Sequence, residues 1–379
     1  MGEGVAVRAL AVQTLAIACE RAPGRVALFA FGAACLAGCS SGNATRAAST
    51  DAAAADANDA GRPDDGADAS DGDDAGDDGA GGADAACTAP CAGECVGGRC
   101  LVTLAQIASP VGIAIDGTNA YVASCSGGSG SVVSVPLAGG TPRPLASGPG
   151  CPAVAVGAGG LYVAGLHGGD VESLPPDGGV PTTLASTPDP PIGLAVDGAN
   201  VYWTTTGGAV MEVSLAGGTP TVLASGQASL SAPAVDGSGV YWGSGGRIER
   251  ASLDGGAAAI ITSAALATAL AIAGSDVYFA DGYDLMQAPL GGGPATALST
   301  AAGAPVYAVA VDDANVYFTS YSVVYEVSRA GGLPTVLASN QGSPNALAVN
   351  ATSVLWTDGT NWPPPPGGGG GQIVTLTPK

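Results

Sequence analysis

The chain predicts an all-β fold of seven like units, and three observations carry that expectation. A tyrosine returns as Tyr121, Tyr162, Tyr202, Tyr241, Tyr278 and Tyr317, with Leu355 in the seventh place, at intervals of 37 to 41 residues. Each interval holds about four short apolar runs divided by turn residues, and with 62 glycines and 27 prolines in 379 residues hardly any helix-period pattern remains. The seventh unit lacks its fourth run, while an orphan run, Leu101 to Ala105, stands ahead of the first. A repeat of this period points to a propeller or solenoid. A seven-bladed β-propeller of four-stranded antiparallel blades, closed by pairing of an N-terminal with a C-terminal strand, accounts for all three and leaves no open edge.

The unit from Ile192 to Ser225 shows the pattern most fully: apolar runs Gly193 to Val196, Val201 to Thr204, Val210 to Leu215 and Thr221 to Ala224, separated by Asp-Gly, Gly-Gly and Gly-Gly-Thr-Pro. Such punctuation between β-prone runs reads as successive hairpins. The first strand recurs as Ile113-Ala-Ile-Asp116, Leu194-Ala-Val-Asp197 and Val309-Ala-Val-Asp312. It is nearly all apolar, as a strand covered on both faces should be. Asp116, Asp197, Asp236 and Asp312 recur at equivalent places, which marks them as turn caps rather than chemistry. The third strand starts aliphatic and has a polar residue two positions on, Ser134, Ser173, Glu212, Arg250, Gln287, Glu326 and Thr375, expected to face water or a blade edge. The fourth follows Pro142, Pro181, Pro220, Pro294 or Pro334 and ends in signatures such as Leu145-Ala-Ser147 and Leu337-Ala-Ser339. Proline there is tolerated at the start of an outer edge strand.

Three shorter segments precede the repeats. In residues 1–38, Arg21 and Arg25 stand before the apolar run Val26 to Ala34 and Leu36-Ala-Gly-Cys39. That order is a secretory signal ending in a lipobox, with a run too short to span a bilayer. Cleavage ahead of Cys39 and lipidation of its sulfur would hold the protein at a membrane. Residues 39–86 form the tether: Asn43 to Ala86 carry twelve Asp and no aromatic residue, a composition that cannot bury enough surface to fold. Residues 87–100 contain Cys87, Cys91, Cys95 and Cys100, and 101–379 the propeller.

Of nine cysteines, Cys19 and Cys35 leave with the signal and Cys39 takes the lipid, so six remain. An even number suits an oxidising compartment. Cys87, Cys91, Cys95 and Cys100 allow three pairings, with a zinc site as the competing reading. Cys125 ends the second strand of blade 1 and Cys151 opens the loop into blade 2, so blade topology puts both on one rim as a disulfide pair.

Val201-Tyr-Trp-Thr204, Leu355-Trp-Thr-Asp358 and Gly246-Arg-Ile-Glu-Arg-Ala-Ser-Leu-Asp-Gly255 resemble the YWTD repeats of low-density-lipoprotein-receptor-type propellers. That resemblance implies six blades where the residues count seven. The whole chain, with its lipobox and Asp-rich spacer, resembles the surface lipoproteins of high-GC bacteria such as myxobacteria. Ser40 resembles the second residue of lipoproteins sorted to the outer membrane.

Loops joining second to third strands and those joining blades share one rim. On it the sequence places His167, Asp170, Asp281, Tyr283, Asp284, Tyr321, Asp358, Asn361 and Trp362, the last two in the only long insertion in a blade. His167 is the sole histidine, and no nucleophile motif stands near it, so no catalytic residue, metal or cofactor is expected. A formal charge of −21, with four Arg and one Lys after Cys100, argues against a phosphate-binding surface and hence against nucleic acid. The expectation is a monomeric, non-catalytic surface-interaction module, anchored through its lipid in the cell envelope. Its partner is a protein or glycan of that envelope, with contacts around blades 7, 1 and 2. The alternatives are a lyase or lactonase with a metal in the central funnel, and a purely structural envelope protein.

Overall fold

The computed structural model describes residues 87, 90–157, 159–253, 255–300, 304–359 and 370–379. The signal, Cys39, the acidic stretch, Asn361 and Trp362 lie outside the described residues. Within them there are only strands and turns, and no helix is long and apolar enough to cross a membrane. Six four-stranded antiparallel sheets and one five-stranded sheet are the seven blades. Their innermost strands are Pro110–Ile115, Ala153–Gly157, Pro191–Val196, Ala234–Val235, Ala267–Ala273, Val306–Val311 and Pro344–Val349. Each lies against the next and the seventh against the first, so the ring is closed.

Closure uses both chain ends. The fourth strand of blade 7 is Arg99–Ile107, which pairs antiparallel with Gly371–Thr377 through Leu101↔Leu376, Val102↔Thr375 and Ala105↔Ile373. A fifth strand not foreseen from the sequence, Glu94–Val96, pairs outside it by Cys95↔Cys100 and Val96↔Arg99. Cys87 is bonded to Cys95, and Cys91 to Cys100, so this hairpin is stapled to the seam. Two ion pairs fasten the same ends to blade 6: Arg99 Nη2 to Glu326 Oε1 at 2.7 Å, and the Lys379 ammonium to Asp312.

The repeat has a packing reason. Tyr121 and Val132 face blade 2 and join Leu161, Val163 and Leu174, while Val122 and Val135 face blade 7 and join Leu355 and Ile373. Alternate residues of a strand point to opposite faces, so every blade has two buried faces. On the innermost strand the small residue of Leu-Ala-Val lies where the next blade comes close. A Cβ on Gly157 would stand 2.4 Å from Val196 Cγ1 of blade 3. These innermost strands are mostly half-buried rather than covered on both faces. Each has a neighbour along one edge only, and its other edge borders the axis.

The Leu-Ala-Ser signature is a β-bulge. Leu104, Leu145, Leu184, Leu223, Ile261, Leu298 and Leu337 are each skipped in the register of their blade's fourth strand. A bulge re-aims its residue. Leu337 is 1% exposed, and the Leu184 and Ile261 carbonyls accept from Gly218 and Gly293, in the turn of the following blade, at 3.1 Å.

The polar residue of the third strand does not face open water. It lies directly across the ladder from the second-strand tyrosine, as in Tyr202↔Glu212 and Tyr317↔Glu326, and Ser134 and Thr375 are buried. The position is polar because it neighbours the tyrosine and the turn below it: Arg250 Nη2 donates to the Ser238 carbonyl and Glu326 receives Arg99.

Candidate binding face

Successive strands alternate in direction, which sorts the loops onto two rims. The lower rim carries the turns between first and second strands, and there the recurring aspartates cap. Asp312 Oδ1 accepts from the Ala314 and Asn315 amides at 2.8 Å and Oδ2 from the Tyr317 hydroxyl at 2.9 Å. Asp116 and Asp197 repeat the arrangement with Tyr121 and Tyr202, and Asp236 reaches Tyr241 through Ser238. Burial first, and then the neighbouring carboxylate, pushes Tyr121, Tyr202 and Tyr317 up to about 12. Blade 5 has Ala273 instead of aspartate, and Arg329 of blade 6 donates to both the Tyr278 hydroxyl and the Ala273 carbonyl. The period of tyrosine and the period of aspartate are therefore one structural device.

The upper rim carries the turns between second and third strands and the loops between blades. Backbone hydrogen bonds tie the two sets together: Thr187 N to Gly169 O, Gln227 N to Gly208 O, Ala264 N to Gly246 O and Val306 N to Gly282 O, all 2.9 to 3.0 Å. Cys125 and Cys151 are joined at the seam of blades 1 and 2 on this rim.

Several residues placed here by the sequence are spent on holding the rim. Asp281 accepts from the Ala265 and Leu266 amides at 3.0 and 2.6 Å. Asp358, 2% exposed, does the same for Gly342 and Ser343 and also receives Gln372. Asp170 takes the Ser186 hydroxyl at 2.5 Å, tying two strands of blade 2. His167 Nδ1 lies 2.9 Å from Oε2 of the buried Glu172, at the seam with blade 1. A Cβ on Gly148 would stand 2.9 Å from its Nε2.

Tyr283 and Tyr321 are different, at 59% and 71% exposed. Four of the upper turns have two residues: Gly127-Gly128, Gly245-Gly246, Gly282-Tyr283 and Tyr321-Ser322. The first position is left-handed in every one, with φ of 60°, 51°, 66° and 54°. Three use glycine and blade 6 uses tyrosine, at a conformational cost of about 1 kcal/mol. Sequence reasoning missed Tyr307, the residue skipped between Val306 and Ala308 in the innermost strand of blade 6. Equivalent bulges expose Val111 and Ile192. Its only sequence signal was a tyrosine out of phase with the repeat. Asp284 and Tyr283 open and precede the third strand of blade 5, and His167 and Asp170 lie on blade 2. The structure thus gathers Asp281, Tyr283, Asp284 and Tyr321 on neighbouring blades and leaves His167 and Asp170 apart, beside the disulfide seam.

No protein-family model matches the chain, and no curated protein matches it in sequence. Among solved structures, YCF48 bound to D1 peptide is similar over 74% of this chain and 96% of its own, at 10% identity and a TM-score of 0.54. The computationally designed Ika8 protein is similar over 73% and 98%, at 14% identity and a TM-score of 0.52. A chain of the nidogen/laminin complex is similar over 52% and 84%, at 20% identity and a TM-score of 0.43. The first two support the propeller fold.

Proposed function

We propose that the chain is a non-catalytic binding module, lipid-anchored at Cys39 outside the cytoplasm, that takes a protein or glycan of the envelope on its upper rim. The observation that carries this reading is the contrast on that rim: Asp281 and Asp358 are committed to backbone amides, while Tyr283 and Tyr321 are held out to solvent, one in a backbone conformation that favours glycine. Exposed aromatic side chains on a rigid frame are what binding surfaces use. The seven innermost strands contain no His, Cys, Asp or Glu. A funnel enzyme would need several His, Glu, Asp or Asn side chains converging on the axis, and these strands offer one, Asn345. YCF48, a propeller of similar fold, is known bound to a peptide.

The test is retention from envelope extract by immobilised full-length protein, with the Tyr283→Ala/Tyr321→Ala double variant beside it. Retention of a specific protein or glycan by the wild type alone supports the rim, equal retention by both overturns it, and a stoichiometric metal in the purified protein overturns the non-catalytic reading. For the anchor, Cys39→Ala should abolish metabolic labelling by fatty acid, and unchanged labelling would overturn it.

A further inference from the structure

We infer that the rim of blades 5 and 6 receives a basic segment of a protein partner, a lysine or arginine side chain lying on Tyr283, Tyr307 and Tyr321 beside Asp281 and Asp284. This rests on the upper rim being the binding face proposed above.

The three rings are brought together by the backbone. Val306 N donates to the Gly282 carbonyl at 2.9 Å, and Val306 is paired in register with Ser320. Tyr283, Tyr307 and Tyr321 each follow one of those three residues directly, so all three side chains leave a single hydrogen-bonded row. Tyr307 is half-buried between the other two, and burial first, then the two neighbouring hydroxyls, raise its pKa. None of the three hydroxyls has a hydrogen-bond partner among the described residues, and neither has the Asp284 carboxylate.

Charge chooses the partner. Asp281 and Asp284 flank the turn that carries Tyr283, and the rim loops of blades 5 and 6 hold no Lys or Arg among the described residues. On a chain of formal charge −21, this face repels an anion and favours a cation. An aromatic face adds attraction for an ammonium or guanidinium within about 6 Å. The protein satisfies its own lower-rim tyrosines in this way, with Arg250 over Tyr241, Arg329 over Tyr278 and Lys379 over Tyr317 at 5.6 to 5.8 Å. The upper tyrosines present the same ring chemistry with no cation of the described residues upon them.

The experiment titrates the full chain at low ionic strength with three decapeptides, alternating glycine with lysine, glutamate or proline, and repeats this with Tyr321→Asn. Asparagine accepts the left-handed backbone at lower cost than tyrosine, so the variant should melt no lower than the wild type. The lysine peptide should bind, the glutamate peptide should not, and Tyr321→Asn should weaken the lysine peptide about three-fold or more. Equal affinity for wild type and variant would overturn the site, because the net charge alone would then explain binding. If only the proline peptide binds and Tyr321→Asn weakens it, the rim stands as a binding face and the basic partner falls. If no peptide binds, the inference falls while the retention experiment above still decides the rim.

Discussion

Replacing Asp312 with asparagine isolates one charge at the closure of the ring. Burial pushes the Asp312 carboxyl upward, but the bonds from Lys379, the Asn315 and Ala314 amides and Tyr317 outweigh it and lower it from 3.8 to about 2. The side chain is 19% exposed, so solvent screens it little. At 1.36 kcal/mol per unit, a depression of nearly two units corresponds to about 2 kcal/mol of stability. Because the folded value is the lower one, that contribution is complete above about pH 4 and is lost as pH falls through about 2. Asparagine keeps the turn, since Asn350 in blade 7 already accepts the Thr352 and Ser353 amides at 2.9 and 2.8 Å. Asp312→Asn should therefore cost about 2 kcal/mol in urea unfolding at pH 7, and its difference from the wild type should shrink toward zero between about pH 4 and 2. A cost below about 0.5 kcal/mol at pH 7, or a difference that does not change with pH, would refute the role given to the Lys379–Asp312 pair.

Deleting Leu101 to Ala105 removes the partner of Gly371–Thr377 and should lower the melting temperature; an unchanged melt would refute closure by the two chain ends. Changing both Cys125 and Cys151 to serine opens a loop of 26 residues, and should cost roughly 3 to 4 kcal/mol by the chain-entropy estimate. Peptide mapping without reductant should recover those two cysteines joined, and Cys125 joined to any of Cys87 to Cys100 would contradict the seam. Gly157→Val would drive a side chain into Val196, and a melting temperature equal to wild type would show that the inner ring is looser than its geometry.

What the sequence made legible is what all seven blades share. The tyrosine and aspartate periods, the prolines ahead of the outermost strands and the orphan run at Leu101 are repeated or complementary features, and repetition reports positions every blade must fill the same way. Leu145-Ala-Ser147 was legible as a signature but not as a bulge, because a skipped residue leaves the apolar pattern unchanged. Apolar runs such as Val154-Ala-Val156 read as covered on both faces because hydrophobicity does not tell a blade interior from the border of an axis. Glu94–Val96 was hidden by its cysteines and glycines, which mark a knot more strongly than a strand. The bulge at Tyr307 and the left-handed turn at Tyr321 recur elsewhere without a tyrosine, so the gathering of Tyr307 with Tyr283 and Tyr321 on blades 5 and 6 became visible only when hydrogen bonds joined distant stretches. It lies on blades 5 and 6, beside blade 7 and away from blades 1 and 2, whereas contacts were expected around blades 7, 1 and 2.

The way the strand Arg99–Ile107 enters blade 7 also sets which rim carries Cys87 and Lys379. Arg99 begins that strand on the lower rim, beside Lys379 and the disulfide hairpin, and Ile107 ends it on the upper. Cys87, bonded to Cys95, thus belongs to the lower corner that also holds Lys379. Tyr283 and Tyr321 lie on the rim at the other end of the strands from Lys379, and a surface coupled at Lys379 would present that rim outward.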